Sequence, residues 1–167
     1  MDTTNELIRP FMQILHMNTG LFLNALTGIG DADAAKRIEG TSNNVRFIAF
    51  HLLEARYYLA RYLGIEAESP FHDVAERIKT LDEAGDELPT LEDLRLAWEE
   101  VSHLLESRFQ GISEEELRQS SPDAWSDIIQ NASVLGGIAF LLQHESHHIG
   151  QLAFLRRILG LEPLKFS

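Results

Sequence analysis

The chain of 167 residues contains no cysteine. Disulfides, thiolate metal sites and a cysteine nucleophile are therefore excluded, and any metal ligands must come from histidine, aspartate and glutamate. Nowhere do the ~18 consecutive apolar residues of a membrane helix occur. Basic residues are scarce as well: 14 Lys and Arg against 26 Asp and Glu leave a net charge of −12 with histidine neutral. That balance repels phosphate backbones, so no nucleic acid partner is expected. No segment alternates as a half-buried strand does. Glycine-rich phosphate loops and activated-serine motifs are missing too, which leaves phosphoryl transfer and acyl-enzyme chemistry without a carrier. Internal repeats and low-complexity tracts are likewise absent. The opening MDTTNELIRP has no basic-then-apolar leader, and a cytoplasmic location is the expectation.

What is present is a 44 % hydrophobic content distributed in short periodic runs. A chain of this length buries roughly 68–70 % of its unfolded surface, enough for one domain over residues 1–167. At about 100° per residue, four long amphipathic helices emerge. The first spans about 5–26, with Leu7, Phe11, Ile14, Leu21, Phe22 and Ala25 on one face and Gly28 and Gly30 beyond. The second spans about 42–63, capped by Ser42 or Asn43, with Phe47, Ile48, Ala55, Tyr58, Leu59 and Tyr62 inward and Gly64 as its stop. A polar connection follows, holding a short crossover helix at about 71–81. Pro89, Thr90 and Asp93 announce the third long helix, which carries Leu94, Trp98, Val101, Leu105 and Phe109 inward. An acidic turn at 113–119 precedes the last helix, about 125–159, bent near Gly136 and Gly137. The economical fold is an all-α, four-helix up-and-down bundle with a short crossover helix and antiparallel neighbours.

Seven histidines in a chain without cysteine raise the question of a metal. His16, His72 and His103 project to the surface. His144 and His148, four apart, share one side of the last helix with Leu141, Leu152, Leu155 and Leu159. Two inward imidazoles would each need a hydrogen-bonding partner and would repel if charged, whereas one divalent cation satisfies both as neutral ligands. His51 lies among apolar residues of the second helix and completes a set of three. His147 is read as a rim residue.

His144 to His148 is literally an HExxH string, but the third ligand of a zinc peptidase is missing downstream and no strand exists to dock a peptide. What remains is Glu145 beside the first imidazole, the candidate general base, with a plain helix-surface glutamate as the alternative. A di-iron carboxylate site fails because Glu100 and His103 point away from their helix's apolar stripe. Asn18 and Asn44 are read as helix–helix hydrogen-bonding residues. Phe140, Phe154 and Ile158, at the edge of the last stripe, are read as core.

On two segments the chain resembles the DinB-like superfamily of four-helix-bundle proteins. HLLEARYYLARYLG, beginning at His51, is similar to that family's first-ligand segment. HESHHIGQLAFLRRILGL, from His144, is similar to its signature of two histidines four apart, a Gly-Gln step and an Arg-Arg helix end. The resemblance implies metal ligands at His51, His144 and His148, the same three that the helical projection selects. It also implies that Gly150 permits close helix approach and that Gln151 bonds near the site. It further implies one divalent ion, zinc or nickel, and transfer or isomerisation chemistry on low-molecular-weight thiols such as bacillithiol, mycothiol or glutathione. The expectation is thus a metal-dependent S-transferase or related enzyme acting on a small-molecule substrate, in a homodimer of unspecified surface. The alternative is a noncatalytic protein whose ion only clamps two helices.

Overall fold

The structure, a computed structural model, describes residues 6–38, 43–84, 86–123 and 129–166. Among them lie eight helices: α1 (Arg9–Leu26), α2 (Asp31–Ala34), α3 (Val45–Tyr62), α4 (His72–Arg77), α5 (Leu81–Ala84), α6 (Leu91–Gly111), α7 (Glu114–Arg118) and α8 (Val134–Ile158). The described residues contain no strand, only an isolated bridge between Ser120 and Ser133. None of these helices is long and apolar enough to cross a membrane.

The four long helices, α1, α3, α6 and α8, form the bundle. α1 packs on α8 and α6, and α3 packs on α6 and α8, so α1 and α3, and likewise α6 and α8, face each other across the diagonals. Side-chain contacts give their directions. Asn18 meets Glu145 and Arg156 meets the Ala25 carbonyl, so α1 and α8 run parallel. Arg56 meets Ser102 and Arg108 meets the Leu63 carbonyl, so α3 and α6 are parallel as well. Arg56 with Glu145 and Tyr62 with Val134 make α3 and α8 antiparallel. The all-α, four-long-helix expectation is met; within it the order is up, down, down, up. The reason is the connection 63–90, which carries the chain back along α3 so that α6 starts where α3 started.

Local chemistry accounts for most boundaries. Asn44 caps α3 by accepting from the Phe47 amide, and its amide nitrogen donates to the Ala35 carbonyl. Asn43 therefore lies one residue before the cap, and Ser42 falls outside the described residues. Thr90 caps α6 by accepting from the Asp93 amide, and Ser113 with Glu116 forms a full capping box on α7. α3 and α8 are closed by the left-handed glycines Gly64 and Gly160. The predicted helix over 71–81 is interrupted. Ile78 is extended, and the Glu83 carboxylate accepts from the amides of Lys79 and Thr80, starting a new helix at Leu81.

The last helix differs most from the sequence expectation. It starts at Val134, not near Trp125, which lies outside the described residues. Ser133 caps it by accepting from the Gly136 amide, and the incoming segment is clipped by Ser121 to Ala132 and Val134 to Gln119 backbone bonds. A Cβ on Gly136 would fall 1.9 Å from the Asn131 carbonyl oxygen, so this glycine marks a close backbone approach and not a bend. α1 is also rotated from its predicted face. Leu15, Asn18 and Phe22 are buried, whereas Ile14 is exposed.

That rotation serves a polar centre. Arg56 is fully buried, and its guanidinium touches the other three long helices. Its Nε and Nη2 donate to the two carboxylate oxygens of Glu145 at 2.8 and 2.6 Å. Nη1 donates to Thr19 and Ser102 at 2.7 Å each. Those hydroxyls in turn donate hydrogen bonds to the Leu15 and Trp98 carbonyls. The guanidinium carbon lies 3.6 Å from the centre of the Trp98 ring, which stacks on Phe22. Asn18 adds a donor to Glu145 at 3.3 Å. Every charge in the group has a partner, the condition for a buried ion pair to be tolerated.

Replacing Arg56 by methionine strands the Glu145 carboxylate in the core and is expected to cost about 3–5 kcal/mol. For a chain of this size that lowers Tm by roughly 6–20 °C. Pairing it with Glu145→Leu restores most of the loss. Thermal melts of the single and double variants, without metal, test this; a double variant no more stable than the single one would contradict it.

Candidate metal centre

α3 presents His51 at its solvent edge, and α8 presents the half-buried His144 and His148. His51 does not sit within the core as its apolar neighbours suggest; Leu52, Leu53 and Arg56 take the inward positions. The three imidazoles nevertheless converge. Nε2 of His144 lies 3.2 Å from Nε2 of His51 and 3.1 Å from Nε2 of His148. One ring nitrogen from each residue falls within 4.8 Å of the others. The rings stand at 65°, 73° and 77° to one another, so edges meet and not faces.

The protons decide what such an arrangement can hold. Nδ1 of His148 donates to Oε1 of Gln151 at 2.7 Å, which leaves a lone pair on the converging Nε2. The amide nitrogen of Gln151 faces Nε2 of His147 at 3.4 Å. A single hydrogen on the His144 Nε2 cannot serve both neighbours well, so at least one nitrogen pair is left with lone pairs opposed. A cation at their meeting point removes the conflict. The spacing fits: with Zn–N bonds of about 2.0–2.1 Å, a tetrahedral ion separates its nitrogens by about 3.3 Å. Nδ1 of His144 is buried with no hydrogen-bond partner among the described residues, so it puts no constraint on which nitrogen ligates.

Electrostatics favour neutral rings. The His51 imidazole is lowered from 6.5 to about 4, first by burial of the ring against protein and then by His148 and His144. His144 is lowered too, by burial and then by His148. Among the described residues no carboxylate joins the three imidazoles. Glu145, the base suggested by the sequence, is buried with both oxygens engaged by Arg56. His147 is exposed, and His16, His72 and His103 lie beside surface carboxylates. Asn18 bonds helix to helix, as read. The residue that sequence reasoning missed is Arg56. The available signal was its place in the buried stripe of Leu52, Leu53, Leu59 and Ala60.

A cleft of about 460 Å³ opens from His51 along α3 and beneath the crossover. That is within the size range of small-molecule sites, about 300–1,000 Å³. Phe47, Phe50 and Tyr58 line it together with Arg61 and Lys79. The Tyr58 phenol donates to Asp123 and is raised above its usual range, by burial first and then by that bond. Glu54 accepts from the Ser69 hydroxyl and is raised by burial.

Fold and site define a four-helix bundle with a three-imidazole cluster open on one side. The family model of the DinB superfamily matches residues 14–152, and the chain belongs to that superfamily. A conserved protein from Enterococcus faecalis has a crystal structure that superposes with a TM-score of 0.73 at 15 % identity. The match covers 90 % of this chain and 95 % of that one, a likeness of fold. No functionally curated protein matches the chain.

The lowered His51 value has a measurable consequence. Between about pH 6.5 and 4 the unfolded chain binds a proton that the folded protein does not, so stability falls as pH falls through that window. In urea titrations of chelator-treated protein, His51→Asn should show a shallower decline than wild type. Parallel declines would mean that His51 does not carry the effect.

Proposed function

We propose that His51, His144 and His148 hold one divalent ion, zinc or nickel, in an enzyme that acts on a small-molecule thiol, as an S-transferase or isomerase. The observation that supports this reading is the meeting of three ring nitrogens with no fourth protein ligand among the described residues, beside a cleft. Three protein ligands and an open position are the catalytic pattern; closed four-ligand sites are structural. When bound, such an ion acts as a Lewis acid and lowers the pKa of a thiol or water placed on it.

The chain's own residues have distinct parts in this reading. The lowered pKa values keep His51 and His144 unprotonated at neutral pH, so no proton must leave before ligation. Gln151 holds the His148 ring in the tautomer that points Nε2 inward. Phe47, Phe50 and Tyr58 supply an apolar wall for the substrate, and Arg61 and Lys79 can face its carboxylates. Glu145 anchors α8 through Arg56 and leaves the thiol proton to solvent in the open cleft. Because His51 comes from α3 and the pair from α8, an ion there also ties two helices, which is what the noncatalytic alternative requires.

Elemental analysis separates the steps. Wild type should carry about one metal per chain and His148→Ala little; equal contents would remove His148 from the site. Gln151→Leu should bind the metal about 10–100-fold more weakly while folding normally. A panel of low-molecular-weight thiols with electrophilic acceptors then tests the enzyme reading. Metal-loaded protein without metal-dependent turnover would favour the clamp.

A further inference from the structure

We propose that Glu54, on the wall of the cleft, is a catalytic residue that accepts the proton of the incoming thiol. This rests on the thiol reading above and gives the proton a path to solvent by way of the protein. Position is the first observation. Glu54 follows His51 by three residues on α3, so the two side chains leave the helix ~60° apart and ~4.5 Å along its axis. Both line the same cleft. The Glu54 carboxylate does not join the three ring nitrogens, so it stands outside the ligand set and is free to act on what enters. Glu145, beside His144 in sequence, is turned into the core instead.

Hydrogen bonding is the second. Ser69, in the connection after α3, is buried. Its oxygen accepts from the Phe71 amide, and its hydroxyl donates to Oε1 of Glu54. Among the described residues this is the one hydrogen bond of the carboxylate, and no cation pairs with it. Lys79, in the same cleft, donates to the Ala75 carbonyl, and His72 lies between Glu68 and Glu76. A half-buried carboxylate fixed through one oxygen, with Oε2 left unengaged beside the imidazoles, is the arrangement of a proton acceptor. Burial raises the Glu54 carboxyl above its ordinary value, while the Ser69 bond and then Arg61, His72 and Lys79 draw it down. The net rise brings its proton affinity nearer to that of the thiol it serves.

In the transfer the S–H bond breaks and its electron pair stays on sulfur. The proton forms an O–H bond with Oε2 of Glu54, leaving the carboxyl neutral and the sulfur negative. Ser69 keeps its bond to Oε1 throughout and acts as the positioning residue. The open cleft then returns the proton to water.

Two variants separate a base from a simple clasp between α3 and the crossover. Glu54→Gln still accepts from the Ser69 hydroxyl but cannot take a proton; Ser69→Ala opens the clasp and keeps the carboxylate. In zinc-loaded full chain with 2-mercaptoethanol and an electrophilic acceptor, Glu54→Gln should lower kcat about 10²–10⁴-fold at unchanged metal content. It should also abolish the fall in rate as pH drops through the Glu54 pKa. Ser69→Ala should keep most of the plateau rate and move that fall to higher pH, because the lost bond favoured the ionised carboxyl. Carbon-13 NMR of the side-chain carboxyls, assigned with Glu54→Gln, should place the Glu54 pKa above 4.5 and higher still in Ser69→Ala. Phe154, which with Ile158 is exposed on α8 and not core as the stripe suggests, lies outside the cleft, and Phe154→Ser should titrate as wild type. Metal-loaded Glu54→Gln with wild-type rate and pH profile, or a Glu54 pKa at or below 4.5, overturns the proposal and leaves the metal reading standing. Wild type that binds no metal, or shows no metal-dependent turnover, overturns both.

Discussion

A single guanidinium sets the geometry of the molecule. Arg56 is buried between the four long helices, and its donors reach partners on the other three. Because an unpaired charge cannot remain in an apolar interior, the bundle has to bring Glu145 to it. That pairing settles the rotation and register of α8 against α3. His51 then lies about 7.5 Å along α3 from Arg56, and His148 about 4.5 Å along α8 from Glu145 in the same direction, at 1.5 Å per residue. Imidazole side chains close what remains. The cluster at the rim is positioned by the ion pair in the core, and Trp98 and Phe22 pack the pair from α6 and α1.

The sequence makes part of this legible, for identifiable reasons. Helical periodicity locates every long helix because burial on one side leaves a repeat that needs no knowledge of partners. His144 and His148 are readable as a pair because a spacing of four puts them on one side of whatever helix holds them. His51 joins them only by its apolar neighbours in sequence and the family resemblance, since no local pattern ties residue 51 to residue 144. Glu145 illustrates the limit. The HExxH string places it beside the imidazoles in sequence, but consecutive helical residues diverge by about 100°, and here the divergence points into the core. The string names two of the three imidazoles that converge and suggests a role for the glutamate that its engaged oxygens do not share.

Other features are illegible because they depend on segments distant in sequence. Arg56 looks like a surface residue unless four partners from separated stretches are known. The inward turn of Asn18, and with it the rotation of α1, follows from those same partners. The start of α8 depends on a backbone crossing at Gly136, and the order of helix directions on where the 63–90 connection travels. Local propensity carries no information about either.

The rim position of the imidazole cluster also follows from charge. Three neutral imidazoles bring no negative charge to a divalent ion, unlike thiolate or carboxylate ligands. Buried among hydrocarbon, such a centre would keep its full charge without compensation, at a large desolvation cost. Glu145, the one buried carboxylate among the described residues, is already balanced by Arg56 and cannot serve. The cluster is therefore favoured at a solvent boundary, and a neutral ligand set leaves room for an anion from outside. The thiol of the proposed reaction would supply that charge itself on ionising. In the proposed metal-loaded protein, the lack of cysteine in the chain and of a carboxylate joining the His51, His144 and His148 cluster among the described residues makes the incoming ligand the source of negative charge.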